Sequence, residues 1–237
     1  MADAARPVKR FYKEATAAPI GGGWEIRLDE RPVKTPARQP LLLPTASLAE
    51  AAAEEWRAQG DKVDPRSMPI TGLANAAIDR IVPDPPAFAR SLALFGESDL
   101  LCYRAEGPEP LVRRQAEAWD PLLAWARGRF DIDFEVITGV MHRPQPNRTV
   151  EQLARAVSAR DSFRLAALSP MVTISGSLVI ALALDEQAID LETAWSAATV
   201  DEAWQAEQWG EDAEASARMA ARRREFEDAD RFRLTLG

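Results

Sequence analysis

The residues with most capacity for chemistry in this chain fall in one short run. Positions 200–215, VDEAWQAEQWGEDAEA, hold six carboxylates, two tryptophans and no basic residue. Like charges one turn apart weaken a helix by about 0.2–0.5 kcal/mol per pair, so such a concentration needs a reason. Three readings compete: catalytic acids, a solvated helix face, or a surface for another protein. Acid/base catalysis requires two carboxyls in a water-restricted cleft whose environments hold their pKa values apart. Glu207, Glu211 and Glu214 recur at i, i+4 and i+7, and share a face if one helix continues through Gly210. That makes a stripe, not a pocket, and spacing alone favours the solvated face. The tryptophans shift the balance. Trp204 and Trp209 stand about 140° apart around an ideal helix and cannot share a narrow core stripe. One of them faces the core and the other lies beside the acids, where a large aromatic reads as an interface anchor, although interfaces generally deplete Glu and Asp.

Elsewhere the chemistry is thin. His142, in MHRPQP, is the only histidine, and Cys102 is the only cysteine. A Ser-His-Asp or Cys-His arrangement would have to run through His142, but no small-residue elbow surrounds a serine and nothing brings Cys102 to it. One His and one Cys fall short of a four-ligand zinc site. Glycines 21–23 precede a strand and no Lys-Ser/Thr pair follows, so they predict a turn before Trp24 and no phosphate cradle. Arginines 222–224 spread around a helix, with Glu225, Glu227, Asp228 and Asp230 at hand to pair with them. The expectation is a protein with no catalytic residue, no metal ligands and no cofactor site.

The formal net charge of -8 disfavours nucleic acid and anionic lipid as partners. A lone cysteine excludes an internal disulfide and fits a reducing compartment. The start, MADAARPVKRFYKE, has no apolar run of a secretory signal, and its acids argue against a long transit peptide. The longest uncharged stretch, residues 171–184, has fourteen residues and is too short to span a bilayer, which takes roughly 20. It reads as a buried core segment.

The elements that must carry these residues divide the chain. Trp24, Ile26 and Leu28 alternate in GGGWEIRLDERPVKTP, followed by a charged turn at Asp29, Glu30 and Arg31 and a stop at Pro36. With PLLLP at 40–44 they predict a small antiparallel sheet. Helical signals begin at Thr45: Ser47 and Glu50 read as a capping box, Leu48, Ala52 and Trp56 as the apolar face, and Gly60 as the stop. DKVDPRSMPITG reads as a connector. Beyond it come a helix from Pro86 to Gly96, then one placing Leu111, Gln115, Ala118, Leu122 and Trp125 on one side with a kink at Pro121. The stretch FDIDFEVITGVMHRPQP reads as a strand excursion or loop. Further helices are expected at 149–160, 161–169, 175–184, 187–208 and 211–233. Trp56, Trp119, Trp125 and Trp195 have the spacing of core residues. The fold class is α+β: a small N-terminal antiparallel β domain, residues 1–70, followed by a larger C-terminal all-helical domain, residues 71–237.

The order of these pieces is itself informative. RFYKEA, GWEIRLDERPVKTPAR, LLLPT, LAEAAAEEWRAQG, DPRSMPITGLANAAIDR, SDLLCYRAEGP, QAEAWDPLL, SGSLVIALAL and VDEAWQAEQWGEDAEA, taken in sequence, resemble the F-type ATP synthase assembly chaperones, called assembly factor 2 in mitochondria. The likeness runs from Arg10 to about Phe232. It implies a non-enzyme that binds the unassembled alpha subunit of the catalytic head and prevents its aggregation until the beta subunit replaces it. It further implies a monomer when free, acting in the bacterial cytoplasm or, in organellar relatives, the mitochondrial matrix. The family's acidic C-terminal motif maps onto Asp201, Glu202, Trp209, Gly210, Glu211 and Asp212. The alternative from a different class is a carboxylate-dependent hydrolase using acids of the 201–214 stretch.

Overall fold

The computed structural model describes residues 8–139, 141–210 and 212–237. Strands β1 (Val8–Lys9), β2 (Ala15–Ile20), β3 (Gly23–Leu28), β4 (Arg31–Pro32) and β5 (Leu42–Leu43) open the chain. β2 and β3 form an antiparallel hairpin in register from Ala15↔Leu28 to Ile20↔Gly23, while β4 and β5 pair along β3. The period-2 alternation buries Ile26 and Leu28 on one face. Gly23 is required because a Cβ there would lie 2.6 Å from the Leu43 carbonyl, so the glycine run serves this close strand approach. Asp29 turns the chain with φ 53°, and its carboxylate accepts from the amides of Lys13 and Glu14, both at 3.0 Å.

Helix α1 (Ala46–Arg57) lays Leu48, Ala49, Ala52 and Ala53 against the sheet. Its N-cap is Thr45, whose hydroxyl accepts from the Leu48 amide at 3.1 Å. The expected box at Ser47 and Glu50 does not form, because the helix begins two residues earlier and Glu50 is drawn to Arg57. β6 (Lys62–Val63) pairs antiparallel with β1. The presumed connector then becomes a 3-10 turn, Pro65–Ser67, and helix α2 (Pro69–Ala76), which continues as a π-helical turn, Ala77–Ile81.

The remaining elements are mostly helical. They are α3 (Pro85–Ala93), β7 (Tyr103–Arg104), α4 (Glu109–Phe130), β8 (Ile137–Thr138), α5 (Asn147–Ser158), α6 (Ser162–Ser175), α7 (Leu178–Asp185), α8 (Leu191–Ala198), α9 (Val200–Trp209) and α10 (Ala213–Leu234). β7 and β8 pair in parallel, so the 131–146 excursion supplies a short strand. α4 continues through Pro121, and α6 runs past Pro170 to Ser175 because Met171 and Val172 are fully buried and hold the last turns in place. Every residue of α7 is buried. The uncharged 171–184 stretch is thus the end of α6 and the central core helix, joined at Gly176 with φ 69°. Among the described residues no helix is long and apolar enough to cross a membrane.

One apolar cluster runs from Ile26 on β3 through α7 to Phe232 on α10. Three polar clamps reinforce the contact between strand region and helices. Buried Glu55 of α1 accepts the Ile70 and Thr71 amides at 2.7 Å each, filling the role of the missing side-chain cap of α2. Asp79 accepts from the Thr35 hydroxyl at 2.6 Å and the Ala37 amide at 3.0 Å. Thr45 donates to the Thr235 carbonyl at 2.6 Å. Residue 70, where the sequence suggests a division, sits in the first of these joints.

A helical hairpin with an exposed tryptophan

The acidic run folds as α9, a sharp turn and the start of α10. The single helix expected over 187–208 is broken at Thr199, whose hydroxyl donates back to the Trp195 carbonyl at 2.8 Å while its backbone leaves the helical region. α9 restarts at buried Val200. It ends at Gly210, with φ 84° and ψ 167°, a conformation that essentially only glycine adopts. Asp212 then caps α10, its carboxylate accepting the Ala215 amide at 2.8 Å. The helix therefore does not run through Gly210, and Glu207 and Glu214 do not share one continuous helical face. Glu211 itself lies outside the described residues.

Most acids of this hairpin have partners inside the protein. Asp201 accepts from the side-chain amide of Gln115 on α4 at 2.7 Å. Glu202 accepts from Arg222 on α10 at 3.0 Å, and the same guanidinium donates to the Ile174 carbonyl at 2.8 Å. Glu207 receives a bidentate pair from Arg114 at 2.7 and 2.9 Å. Arg114's hydrogen bond holds the Glu207 carboxyl below its ordinary value. Glu214 pairs with Arg218 at 2.6 Å. None of these arrangements is a close carboxyl pair with one member pushed upward, which a carboxylate-dependent hydrolase would need. The arginine cluster likewise engages acids: Arg222 takes Glu202, and Arg223 takes Glu192 and Glu227.

The two tryptophans part company. Trp204 is half-buried, with the Arg114 guanidinium 5.3 Å from its ring centroid. Trp209 is 88% exposed, the most exposed large apolar side chain among the described residues. It lines a cleft of about 660 Å³ between α9 and α10. Ala203, Ala206 and Ala215 flank this cleft, Trp195 and Met219 contribute apolar surface, and Glu202 and Asp212 bring carboxylates to it.

The other sequence candidates are placed elsewhere. His142 is exposed, with Nδ1 2.9 Å from the Tyr103 hydroxyl. Cys102 is fully buried, and that burial, with Asp99 nearby, pushes its thiol up to about 12. Among the described residues no group of three or more potential ligands could hold a metal ion. Sequence reasoning missed Arg114, Gln115 and Arg222 as the groups that position α9. Gln115 carried a readable signal: an amide within the apolar side of α4 must find partners, and it takes both the Ala105 amide and Asp201.

A family model described as ATP12 chaperone protein matches residues 9–127. The crystal structure of Atp12 from Paracoccus denitrificans is similar to this chain at 43% identity, with a TM-score of 0.93 over 97% of this chain and 99% of that one. A structure from Agrobacterium tumefaciens, described as a candidate chaperone, matches at 43% identity and a TM-score of 0.92, over 97% of this chain and 86% of that one. The mitochondrial atp12 protein of Schizosaccharomyces pombe is 26% identical over 214 residues, 85% of this chain and 74% of its own length. The family model ends within α4, so the likeness at the α9–α10 hairpin comes from the whole-chain matches.

Proposed function

This chain belongs to the ATP12 chaperone family, and from that premise we propose that it is an assembly chaperone of the ATP synthase catalytic head. In this reading it binds the unassembled alpha subunit, prevents its aggregation and yields it to the beta subunit. It performs no catalytic step and works as a monomer in the bacterial cytoplasm. The observation that carries the reading to a site is Trp209, exposed at an apolar cleft whose carboxylates come from the same hairpin. An isolated subunit of a ring exposes an assembly edge, and an aromatic set among acids covers such an edge reversibly. Charge speeds encounter, and the modest apolar area keeps release possible.

The partner surface comprises Asp201, Glu202, Trp209, Gly210, Glu211 and Asp212. Trp209 makes the central contact. Asp201, Glu202, Gly210 and Asp212 set the position and angle of the hairpin through the bonds described above, and Glu202 and Asp212 also present charge. The test is a pull-down of purified unassembled alpha subunit together with light scattering of its aggregation. Capture of alpha in a one-to-one complex and loss of scattering are expected. A folded protein that neither captures alpha nor keeps it dispersed would end the reading.

A further inference from the structure

We propose that the cleft between α9 and α10 receives a single amphipathic helix of the client, with its apolar face on Trp209 and Met219 and a Lys or Arg opposite Glu202 and Asp212. This rests on the chaperone reading above and specifies what part of the client is held.

The shape of the cleft selects the secondary structure of its occupant. All of its described lining residues lie on α8, α9, α10 or the turns between them, so among the described residues no strand edge is offered to it. An extended segment would enter with backbone amides and carbonyls that have no ladder to join, whereas a helix arrives with its own already paired. α9 has ten residues, about 15 Å, enough to lie along roughly three turns of a partner helix. Alanines at 203, 206, 215 and 220 keep the walls low, which lets helix axes approach to about 8 Å. A third helix set in the angle between the two would cover Trp209 and Met219 together.

Charge selects the occupant's chemistry. The one cation lining the cleft among the described residues, Arg223, is already engaged by Glu192 and Glu227. Asp212 uses one carboxylate oxygen for its cap, and the other has no hydrogen-bond partner among the described residues. Glu202 has one cationic partner and remains 39% exposed. A basic residue on the incoming helix therefore finds carboxylates without displacing a cation. A second copy of this chain is disfavoured as occupant, because it would bring the same acidic hairpin and a net charge of -8.

A photo-cross-linking residue placed at the exposed positions Ala203 and Ala215 tests this with the full chain and purified unassembled alpha subunit. Cross-links are expected in helical segments of alpha, recurring every three or four residues, with a Lys or Arg within one turn. In parallel, Ala203→Arg, which fills the cleft and adds a repelling cation, is expected to weaken alpha binding by about tenfold or more at an unchanged melting temperature. Cross-links confined to strands or loops of alpha, cross-links between two copies of the chaperone, or full binding by Ala203→Arg would each overturn the helix proposal while leaving the chaperone reading intact. Failure of alpha to bind the unmodified protein would remove both.

Discussion

Glu202 and Arg222, twenty residues apart, meet at 3.0 Å across the mouth of the α9–α10 hairpin, and Arg222 also reaches the Ile174 carbonyl at the end of α6. One guanidinium thus ties three helices at the base of the cleft. Both side chains are 39% exposed, so the pair contributes little to global stability, about 0.2–1 kcal/mol. Glu202→Gln keeps an acceptor for Arg222 but removes the charge. It is expected to lower alpha binding by about three- to tenfold and to flatten its salt dependence, with the melting temperature within a degree or two of the parent. Undiminished binding, measured by titration at two salt concentrations, would take Glu202 out of the contact set.

Trp209 offers the cleanest separation of binding from folding. At 88% exposure its removal should change stability by no more than about 0.5 kcal/mol. As the central apolar anchor, its loss by Trp209→Ala should cost at least about 2 kcal/mol of binding, near thirtyfold. Thermal melting beside a binding titration with alpha checks both. A large drop in melting temperature would show instead that the indole supports the hairpin.

The strands and the site's raw material could be read from sequence because they depend on neighbours. Trp24, Ile26 and Leu28 alternate, and the β3 strand follows. The five-residue spacing of Trp204 and Trp209 separates them, and the structure half-buries one and exposes the other. What could not be read depends on distant partners. Nothing within one turn of Glu202 announces Arg222, and nothing near Glu207 announces Arg114, ninety-three positions earlier. The break at Thr199 was hidden because a β-branched pair lowers helix propensity only slightly, and tertiary packing decided the outcome. The cap at Thr45 rather than Ser47 turns on a hydroxyl that also bonds Thr235, 190 residues away.

Gly210 sets the angle of the hairpin. A side chain there would be held at φ 84° and ψ 167° at a cost of about 1–3 kcal/mol. Apart from its chain neighbours, no atom of the described residues lies within 4 Å of a Cβ at this position, so the penalty is conformational and not steric. Because the turn is exposed, it should relax locally instead of unfolding the protein. Gly210→Val is expected to raise amide exchange across residues 205–215 and to weaken alpha binding, with the global melting temperature nearly unchanged. Parental exchange rates and parental affinity together would show that the angle is not needed.

Cys102 reports on the core. It is fully buried with its thiol pushed up to about 12, so at pH 8 neither access nor ionisation favours reaction. A thiol reagent is expected to modify the native protein only as fast as the core opens and to react at once in denaturant. Rapid stoichiometric labelling of native protein would mean that the packing around the 3-10 turn Leu100–Cys102 opens locally.

Asp99 should impose a distinctive pH dependence on stability. It is fully buried and accepts from the Ser177 hydroxyl at 2.7 Å and the amides of Val179 and Leu101 at 3.0 and 3.1 Å, which fixes the start of α7. Burial raises its carboxyl to about 6 despite these bonds. The folded value lies above the unfolded one, so the folded state binds the proton more tightly. The stabilisation this brings is complete below about pH 4 and is lost as pH rises through about 6. Glu207, lowered by Arg114, acts in the opposite sense, so the total curve mixes both. Comparison with Asp99→Asn isolates the buried group. That variant cannot ionise, but it turns an amide toward one of the donors Asp99 now satisfies, at a cost of about 1–3 kcal/mol. In urea unfolding at a series of pH values, the parent should lose stability relative to the variant as pH climbs from about 4 to 7. A constant difference would mean that Asp99 does not change protonation in this range.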